Sequence, residues 1–553
     1  MFKRTLTSWR ARFSRRFGVP LALLGLVAGL SPMTAIVPSA ASAGTTRYIV
    51  LLKSANDTAG QTAIARFGGR LINANKLGVA VADSSDPAFA TNLKASGKVD
   101  DVARDAAWRQ ASVEDRTPPP VPGPQTITGC ANQYSPPGGV GVGPDPLSVC
   151  QWDMRMINAS PTGSYAVNQG LGARVGILDT GLDVTHPDIA PNLNLAESCS
   201  FILPGTPTSL PQEWEADPVN CPTKSAVQDY NGHGTHVGGE VAAPINGIGV
   251  AGVAPRATLI GLHAGTAGGG FFFTSSVVNG LIYAGDHHLD VVNMSFFADP
   301  FLFNCKNEAE QRVIVKAITK AAAYATQKGV VLVAAAGNEL TDLDHPTEDV
   351  ISPDYPPGAA VERQVGNNCV VLPGELPWVA TISAVGPQKY LSFYSNYGNS
   401  KVDVTAPGGD SRQAPNPYGR VLNAWSSTAP VVNPMARREV EDCETVGGAP
   451  VCALYGWIQG TSMASPHATG VAALIRAAHP DMPPMAVEAV LQNTAMPMAC
   501  PPGGNLTTSF DDVIRCTGGG SQGNGQTNLY GNGLVRHSAQ PAAIAVSRSP
   551  TIA

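Results

Sequence analysis

From residue 174 to residue 385, short apolar runs of strand length alternate with longer stretches of helical periodicity, and few architectures accommodate that rhythm. Residues 174–178, 257–263, 290–295, 330–335 and 378–385 read as buried strands, and residues 276–287 and 308–328 read as helices. Strands separated by helices imply βαβ units, hence an α/β fold with a mostly parallel sheet and helices on both faces. Ligands of such sheets bind beyond the carboxyl ends of the strands. Two polar residues stand there: Asp179, which ends the first run, and Asn338, which follows the run at 330–335.

Four short segments carry the chemistry. In chain order they are Asp179-Thr180-Gly181, His233-Gly234-Thr235-His236, Ala336-Gly337-Asn338 and Gly460-Thr461-Ser462-Met463-Ala464-Ser465-Pro466. A serine hydroxyl is a poor nucleophile at neutral pH and needs an imidazole to take its proton and a carboxylate to orient that imidazole. Ser462, His233 and Asp179 are the candidates. Negative charge that builds on a carbonyl oxygen needs fixed donors, here the Asn338 amide and the Ser462 backbone N–H. Ala468, Val471, Ala472 and Ile475 form a core-facing stripe, so Ser462 falls near a helix N-terminus, where partial positive charge favours an anion.

Each segment has a blander reading. Asp-Thr-Gly after an apolar strand is also the mark of aspartic peptidases, but those need two carboxylates and this chain has one such tripeptide. His233 and His236 have the spacing of metal ligands on a helix, without a third ligand of comparable context nearby. The order acid, base, nucleophile separates this chain from chymotrypsin-type enzymes and from α/β-hydrolases, and the Gly-x-Ser-x-Gly elbow is absent because Ala464 stands at its last position.

With Leu182-Asp183-Val184-Thr185-His186-Pro187-Asp188, Gly249-Val250-Ala251-Gly252-Val253-Ala254-Pro255 and Phe393-Tyr394-Ser395-Asn396-Tyr397-Gly398, these segments resemble the subtilisin-like serine peptidases from about residue 152 to about residue 535. The resemblance implies a peptide-bond hydrolase acting on proteins and peptides, needing no cofactor for catalysis. It makes His233 the base and His236 a packed helix residue. It implies that Ser295, Phe296, Phe297 and Ala298 pair with an extended substrate, opposite a wall at Gly268-Gly269-Gly270, and that Ala335, Ala336 and Gly337 line the primary specificity pocket with Glu339 near its mouth. The aromatic run Phe271-Phe272-Phe273 equally suits a core anchor. An apolar preference at the cleaved residue is expected. Asp188 and Asn246 match positions that hold a structural calcium in some subtilisins.

The ends of the chain set its compartment. Six basic residues precede an apolar run at 21–30, and Ala41-Ser42-Ala43 is a small-residue cleavage pattern. Residues 1–43 therefore read as a secretory signal peptide rather than a membrane anchor, with a partial twin-arginine pattern at Ser14-Arg15-Arg16-Phe17, and imply bacterial-type export. Residues 44–112 resemble the small α+β inhibitory propeptide of this family, residues 113–129 form a Pro-rich linker, and residues 130–553 form the catalytic domain. Residues 117–553 hold 34 acidic against 20 basic residues, a balance that argues against nucleic-acid binding.

All ten cysteines lie between Cys130 and Cys516, with no Cys-x-x-Cys pair, and read as disulfides. Neighbour pairing gives Cys130–Cys150, Cys199–Cys221, Cys305–Cys369, Cys443–Cys452 and Cys500–Cys516. Residues 195–228, 340–375 and 410–456 are insertions that either frame the cleft or decorate the surface. Two other functions share most of these features. A processing enzyme dedicated to one partner protein would keep the whole set, whereas a non-catalytic surface protein would be expected to have lost one of the three central residues.

Overall fold

The computed structural model describes residues 45–105, 109–110, 143–215, 221, 224–297, 301–352, 360–414, 417–429, 440–446, 449–507, 513–518 and 526–536. The signal segment, the linker, Cys130 and Ala298 lie outside these residues.

A seven-stranded parallel sheet organises the larger part. Its order across the sheet is Val404–Pro407, Val379–Val385, Val331–Ala335, Val291–Met294, Arg174–Asp179, Thr258–His263 and Cys199–Ser200. Side chains alternate between faces along each strand, and here both faces are apolar. Val175, Ile177, Val331 and Val333 join one core, which includes Val237 and Val241 of helix His233–Ala242 and Ala468, Val471 and Ala472 of helix Thr461–Ala478. Leu178, Leu262, Val292 and Leu332 join the other, with Val277 and Leu281 of helix Thr274–Asp286 and Val313 and Ile318 of helix Ala309–Gln327. Coverage on both sides is why these strands read as continuous apolar runs.

The small N-terminal part is a four-stranded antiparallel sheet in the order Gly69–Ala74, Val79–Ser84, Thr46–Leu51, Asp101–Arg104, with helices Thr58–Arg66 and Phe89–Ala95. It belongs to the same compact unit as the large sheet. Its central strand divides its residues by the same alternation. Tyr48 and Val50 pack with Ile64, Phe89 and Leu93 of its own helices, while Ile49 and Leu51 enter the core formed by helices Thr274–Asp286 and Ala309–Gln327.

Two insertions extend the framework. Residues 199–200 add the edge strand of the large sheet. Strand Val421–Trp425 pairs with Ala449–Ile458, which pairs with Val440–Val446, and this three-stranded sheet lies against helix His233–Ala242: a Cβ at Gly239 would meet Asn423 Oδ1 at 2.1 Å. The disulfides Cys199–Cys221, Cys305–Cys369, Cys443–Cys452 and Cys500–Cys516 form as neighbour pairing predicts, and the fifth expected pair involves a position outside the described residues. Cys305–Cys369 closes the longest of these loops, at a separation of 64 residues. Replacing both cysteines by serine is expected to lower unfolding free energy by about 4 kcal/mol, the loop-closure value for that length, read as a lower midpoint in urea.

Candidate active site

Asp179 ends its strand fully buried. Its Oδ1 accepts the Thr180 N–H at 2.8 Å and lies 2.7 Å from His233 Nδ1. A carboxylate facing Nδ1 fixes that nitrogen as the donor and leaves Nε2 as the basic one. Nε2 has no hydrogen-bond partner among the described residues. His233 opens its helix directly after Gly232, whose φ of 101° and close approach to the Trp425 ring, where a Cβ would sit 2.1 Å from a ring atom, admit only glycine.

Asp229, which sequence reasoning missed, ties these two residues together. Its buried carboxylate accepts from Thr180 Oγ1 at 3.0 Å, from the N–H groups of Asn231, Gly232 and Thr235 at 2.8–2.9 Å, and from Thr235 Oγ1 at 2.6 Å. It therefore caps the His233 helix and pins the turn after Asp179 at once. Burial pushes its carboxyl above the usual range against the pull of those donors.

Ser462 is the second residue of helix Thr461–Ala478 and is fully buried, and its hydroxyl donates to the Ser295 carbonyl at 3.0 Å. Pro466 stands inside this helix, four residues on, and has no N–H to offer the Ser462 carbonyl. Ser295 Oγ supplies the missing donor at 2.8 Å, and is itself held by Asn293 Nδ2 and Ser465 Oγ, each at 2.8 Å. The Ser295 side chain thus faces the nucleophile helix rather than the cleft. A proline four positions after the serine was the signal that a donor had to come from elsewhere.

Asn338 is oriented by Thr461, whose N–H and Oγ1 both donate to Asn338 Oδ1 at 2.9 Å. The amide oxygen is therefore engaged, and Nδ2 is left without a hydrogen-bond partner among the described residues. Gly337, at φ 101°, has its N–H on Thr461 Oγ1 at 3.1 Å. The Glu339 carboxylate turns inward, accepting from the Asn338 N–H and from Asn396 Nδ2, each at 2.8 Å, while Asn396 Oδ1 holds the N–H groups of Glu339 and Thr341. Burial raises Glu339 to about 7 despite these donors. Expected at the pocket mouth, it braces the loop that presents Asn338.

The proposed cleft walls are joined by aromatic packing. Phe296 is buried and stacks on Phe272 with ring centroids 4.3 Å apart, and Gly270, at φ 65°, lies in the turn closed by the Gly265–Phe272 bridge. Ala335 and Ala336 are buried at the end of their strand. The backbone of Phe296–Phe297 pairs antiparallel with Arg109–Gln110.

Asp188 and Asn246 meet at 3.1 Å, but through the Asn246 amide donating to Asp188 Oδ1, while Oδ2 accepts the Val250 N–H at 3.1 Å and the Tyr455 hydroxyl at 2.8 Å. Asn246 Oδ1 is taken by the Ile248 N–H. A carboxylate saturated by N–H and O–H donors does not fit a calcium site, which asks for oxygens turned toward one point. Among the described residues no group of three or more His, Cys, Asp or Glu side chains could hold a metal ion.

A buried carboxylate–imidazole pair, a serine at a helix N-terminus and an unengaged amide donor form the arrangement used by hydrolases with a serine nucleophile. Comparison with known proteins narrows that class: the model of the subtilase family matches residues 170–533, and the chain belongs to this family. M-protease of Shouchella clausii (strain KSM-K16) is 29% identical over 378 residues, a stretch covering 68% of this chain and 66% of that protein. Subtilisin Savinase of Lederbergia lenta is likewise 29% identical over 378 residues, which span 93% of it. Among solved structures, fervidolysin from Fervidobacterium pennivorans superposes with a TM-score of 0.59 at 20% identity, over 89% of this chain and 60% of that one. The epidermin leader peptide processing serine protease of Staphylococcus aureus does so at 0.58 and 21%, over 89% of this chain and 96% of that one. These two likenesses establish the fold.

Proposed function

We propose that this chain is an exported serine endopeptidase, made together with its own inhibitor, that hydrolyses peptide bonds in proteins through an acyl-enzyme on Ser462. The observation that carries this reading is the 2.7 Å contact between His233 Nδ1 and Asp179 in a subtilase chain that leaves both His233 Nε2 and Asn338 Nδ2 without a hydrogen-bond partner among the described residues. When substrate binds, the Ser462 hydroxyl exchanges the Ser295 carbonyl for Nε2 and loses its proton to it as Oγ attacks the scissile carbonyl. Asn338 Nδ2 and the Ser462 N–H receive the developing oxyanion. His233 then gives the proton to the leaving amine, and water repeats the sequence to release the acid. The set needs no cofactor.

Residues 1–43 act as the export signal, 44–112 as the inhibitory propeptide, 113–129 as the linker and 130–553 as the catalytic domain. The disulfides suit an oxidising compartment. Among the described residues no helix is long and apolar enough to cross a membrane. Inhibition is supported by the pairing of Arg109–Gln110 on the strand expected to hold substrate, and by ion pairs from the small sheet to the large part, Lys76–Asp286 at 2.6 Å and Arg104–Glu310 at 3.0 Å.

Self-processing is tested by intact mass and N-terminal sequence of the product from wild type and Ser462→Ala. Wild type should begin in or just beyond residues 113–125 while the variant retains residues from Gly44. Identical maturation of both would refute processing by Ser462.

Asp105 gives the inhibitor a pH dependence. It caps helix Thr274–Asp286 from the small sheet, accepting from Ser275 N–H at 3.0 Å and Ser275 Oγ at 2.6 Å. Burial raises its carboxyl from 3.8 to about 6, against the Ser275 bonds. Protonation therefore favours the complex: this group's contribution is greatest below about pH 4 and is lost as pH rises through 6, by up to about a hundredfold in affinity. Inhibition of processed enzyme by added residues 44–112 should weaken over that range, and Asp105→Asn should flatten the dependence.

A further inference from the structure

Behind the site, four ionisable side chains with no part in the chemistry lie in a chain at 0% exposure. Helix His233–Ala242 contributes His236 and Glu240, helix Thr461–Ala478 contributes His467, and the short helix Trp152–Met156 contributes Asp153. Glu240 divides its oxygens between the two helices: Oε1 lies 2.7 Å from His236 Nδ1 and Oε2 lies 3.1 Å from His467 Nδ1. His467 Nδ1 also reaches the carbonyl of Met463, the residue after the nucleophile, at 2.6 Å, and Nε2 faces Asp153 Oδ2 at 3.1 Å. His236 Nε2 faces the carbonyls of Gly456 at 3.1 Å and Val421 at 3.3 Å.

Every ring nitrogen of His236 and His467 meets an acceptor. A neutral imidazole has one donor and one lone pair, so the His467 ring in its neutral form would aim a lone pair at oxygen. A doubly protonated His467 instead donates from Nδ1 to the Met463 carbonyl and from Nε2 to Asp153, with Glu240 Oε2, which accepts no hydrogen bond among the described residues, at ion-pair distance from Nδ1. Buried ion pairs seldom exceed well-packed apolar residues in stability, so their value lies in fixing one arrangement. We propose that Asp153, His467, Glu240 and His236 form a buried polar lock, with the His467 imidazole doubly protonated, that sets the His233 helix against the Ser462 helix and so positions base against nucleophile. All four are positioning residues, and the inference rests on the peptidase reading above.

The surroundings keep the lock isolated. The Tyr394 phenol lies in the field of Glu240 and donates to the carbonyls of Gly408 and Gly409, and the Tyr165 phenol lies in that of Asp153 and donates to the Gly252 carbonyl. Burial raises both phenols, which stay neutral. Arg155 adds a positive charge near Asp153 while its guanidinium donates to the carbonyls of Ser148 and Val149. Burial alone pulls His467 down, and the carboxylates of Asp153 and Glu240 overturn this, leaving it raised to about 10. Its stabilisation is therefore complete below pH 6.5 and is lost as pH rises through about 10.

Nitrogen-15 NMR of histidine-labelled full-length Ser462→Ala reads the protonation directly, with the two rings assigned from His236→Gln and His467→Gln. At pH 8, above the ordinary histidine value of about 6.5, the His467 ring should be imidazolium. A singly protonated tautomer at His467 overturns the proposal. In the active protein Glu240→Gln should lower kcat roughly a hundredfold, the scale of a misplacement of about 1 Å, with KM held within about twofold. It should also move the alkaline limb of the pH profile down by about one unit or more, which simple loosening of the fold would not do. Unchanged kcat and an unchanged limb overturn positioning. If the wild-type chain cleaves no peptide, the peptidase reading fails by itself, and the His467 protonation state still decides for or against the lock.

Discussion

Ser462→Ala is expected to reduce turnover on a peptide substrate by about a millionfold, the scale on which a subtilisin loses rate with its serine, while the folded chain persists. The Ser462 hydroxyl donates to the Ser295 carbonyl, and that carbonyl can bind water once the hydroxyl is gone. The helix start does not depend on the hydroxyl: its first turn is held by Thr461 through Asn338 and Gly337, and the Ser462 carbonyl is held by Ser295 Oγ. A large kinetic effect with a small change in unfolding midpoint is therefore the signature. A residual rate above that in water is also expected, because oxyanion donors and substrate contacts remain. Active-site titration must accompany the assay, since trace wild type would mask an effect of this size.

Asn338→Ala carries the second large effect, a fall in kcat of roughly a hundredfold to a thousandfold with KM little changed. The reasoning is geometric. Thr461 engages the amide oxygen twice at 2.9 Å, so Nδ2 is the atom offered to an oxyanion, and a donor that meets charge only after attack contributes to turnover rather than to ground-state binding. Asn338→Asp is the sharper control. It keeps the Thr461 contacts on one oxygen but places a second carboxylate oxygen where the anion would form, so it should be slower than Asn338→Ala.

Much of this was legible in the sequence because the sheet is buried on both faces. Runs such as Val331-Leu332-Val333-Ala334-Ala335 are apolar throughout, and the strands fall within one or two residues of the expected bounds, which places Asp179 and Asn338 at strand ends. The small domain was less legible. Gly69–Ala74 is partly exposed along its length, Phe89–Ala95 is only seven residues, and Asp101–Arg104 only four, so none offers a periodic pattern long enough to read.

Contacts that cross the chain were illegible for a different reason. Ser295 meets Ser462 across 167 residues, His467 meets Asp153 across 314, and Thr180 meets Asp229 across 49. Nothing local to Ser295 says that its hydroxyl replaces a donor removed by Pro466. Glu240 did leave a trace, as a carboxylate four residues after His236 on one helix, although that spacing does not reveal a partner on another helix. The donors on Asp188 were hidden for a similar reason: Asp188 and Asn246 have residue types that suit calcium, but Tyr455, 267 residues on, delivers its hydroxyl to the carboxylate.

The most direct test is covalent labelling. Processed wild-type protein, treated with a fluorophosphonate and digested, should carry one phosphonyl group, located on Ser462, and His233→Ala should label far more slowly because the hydroxyl has lost its base. A label on any other residue, or wild-type protein that stays unmodified after the propeptide has been removed, would contradict the account.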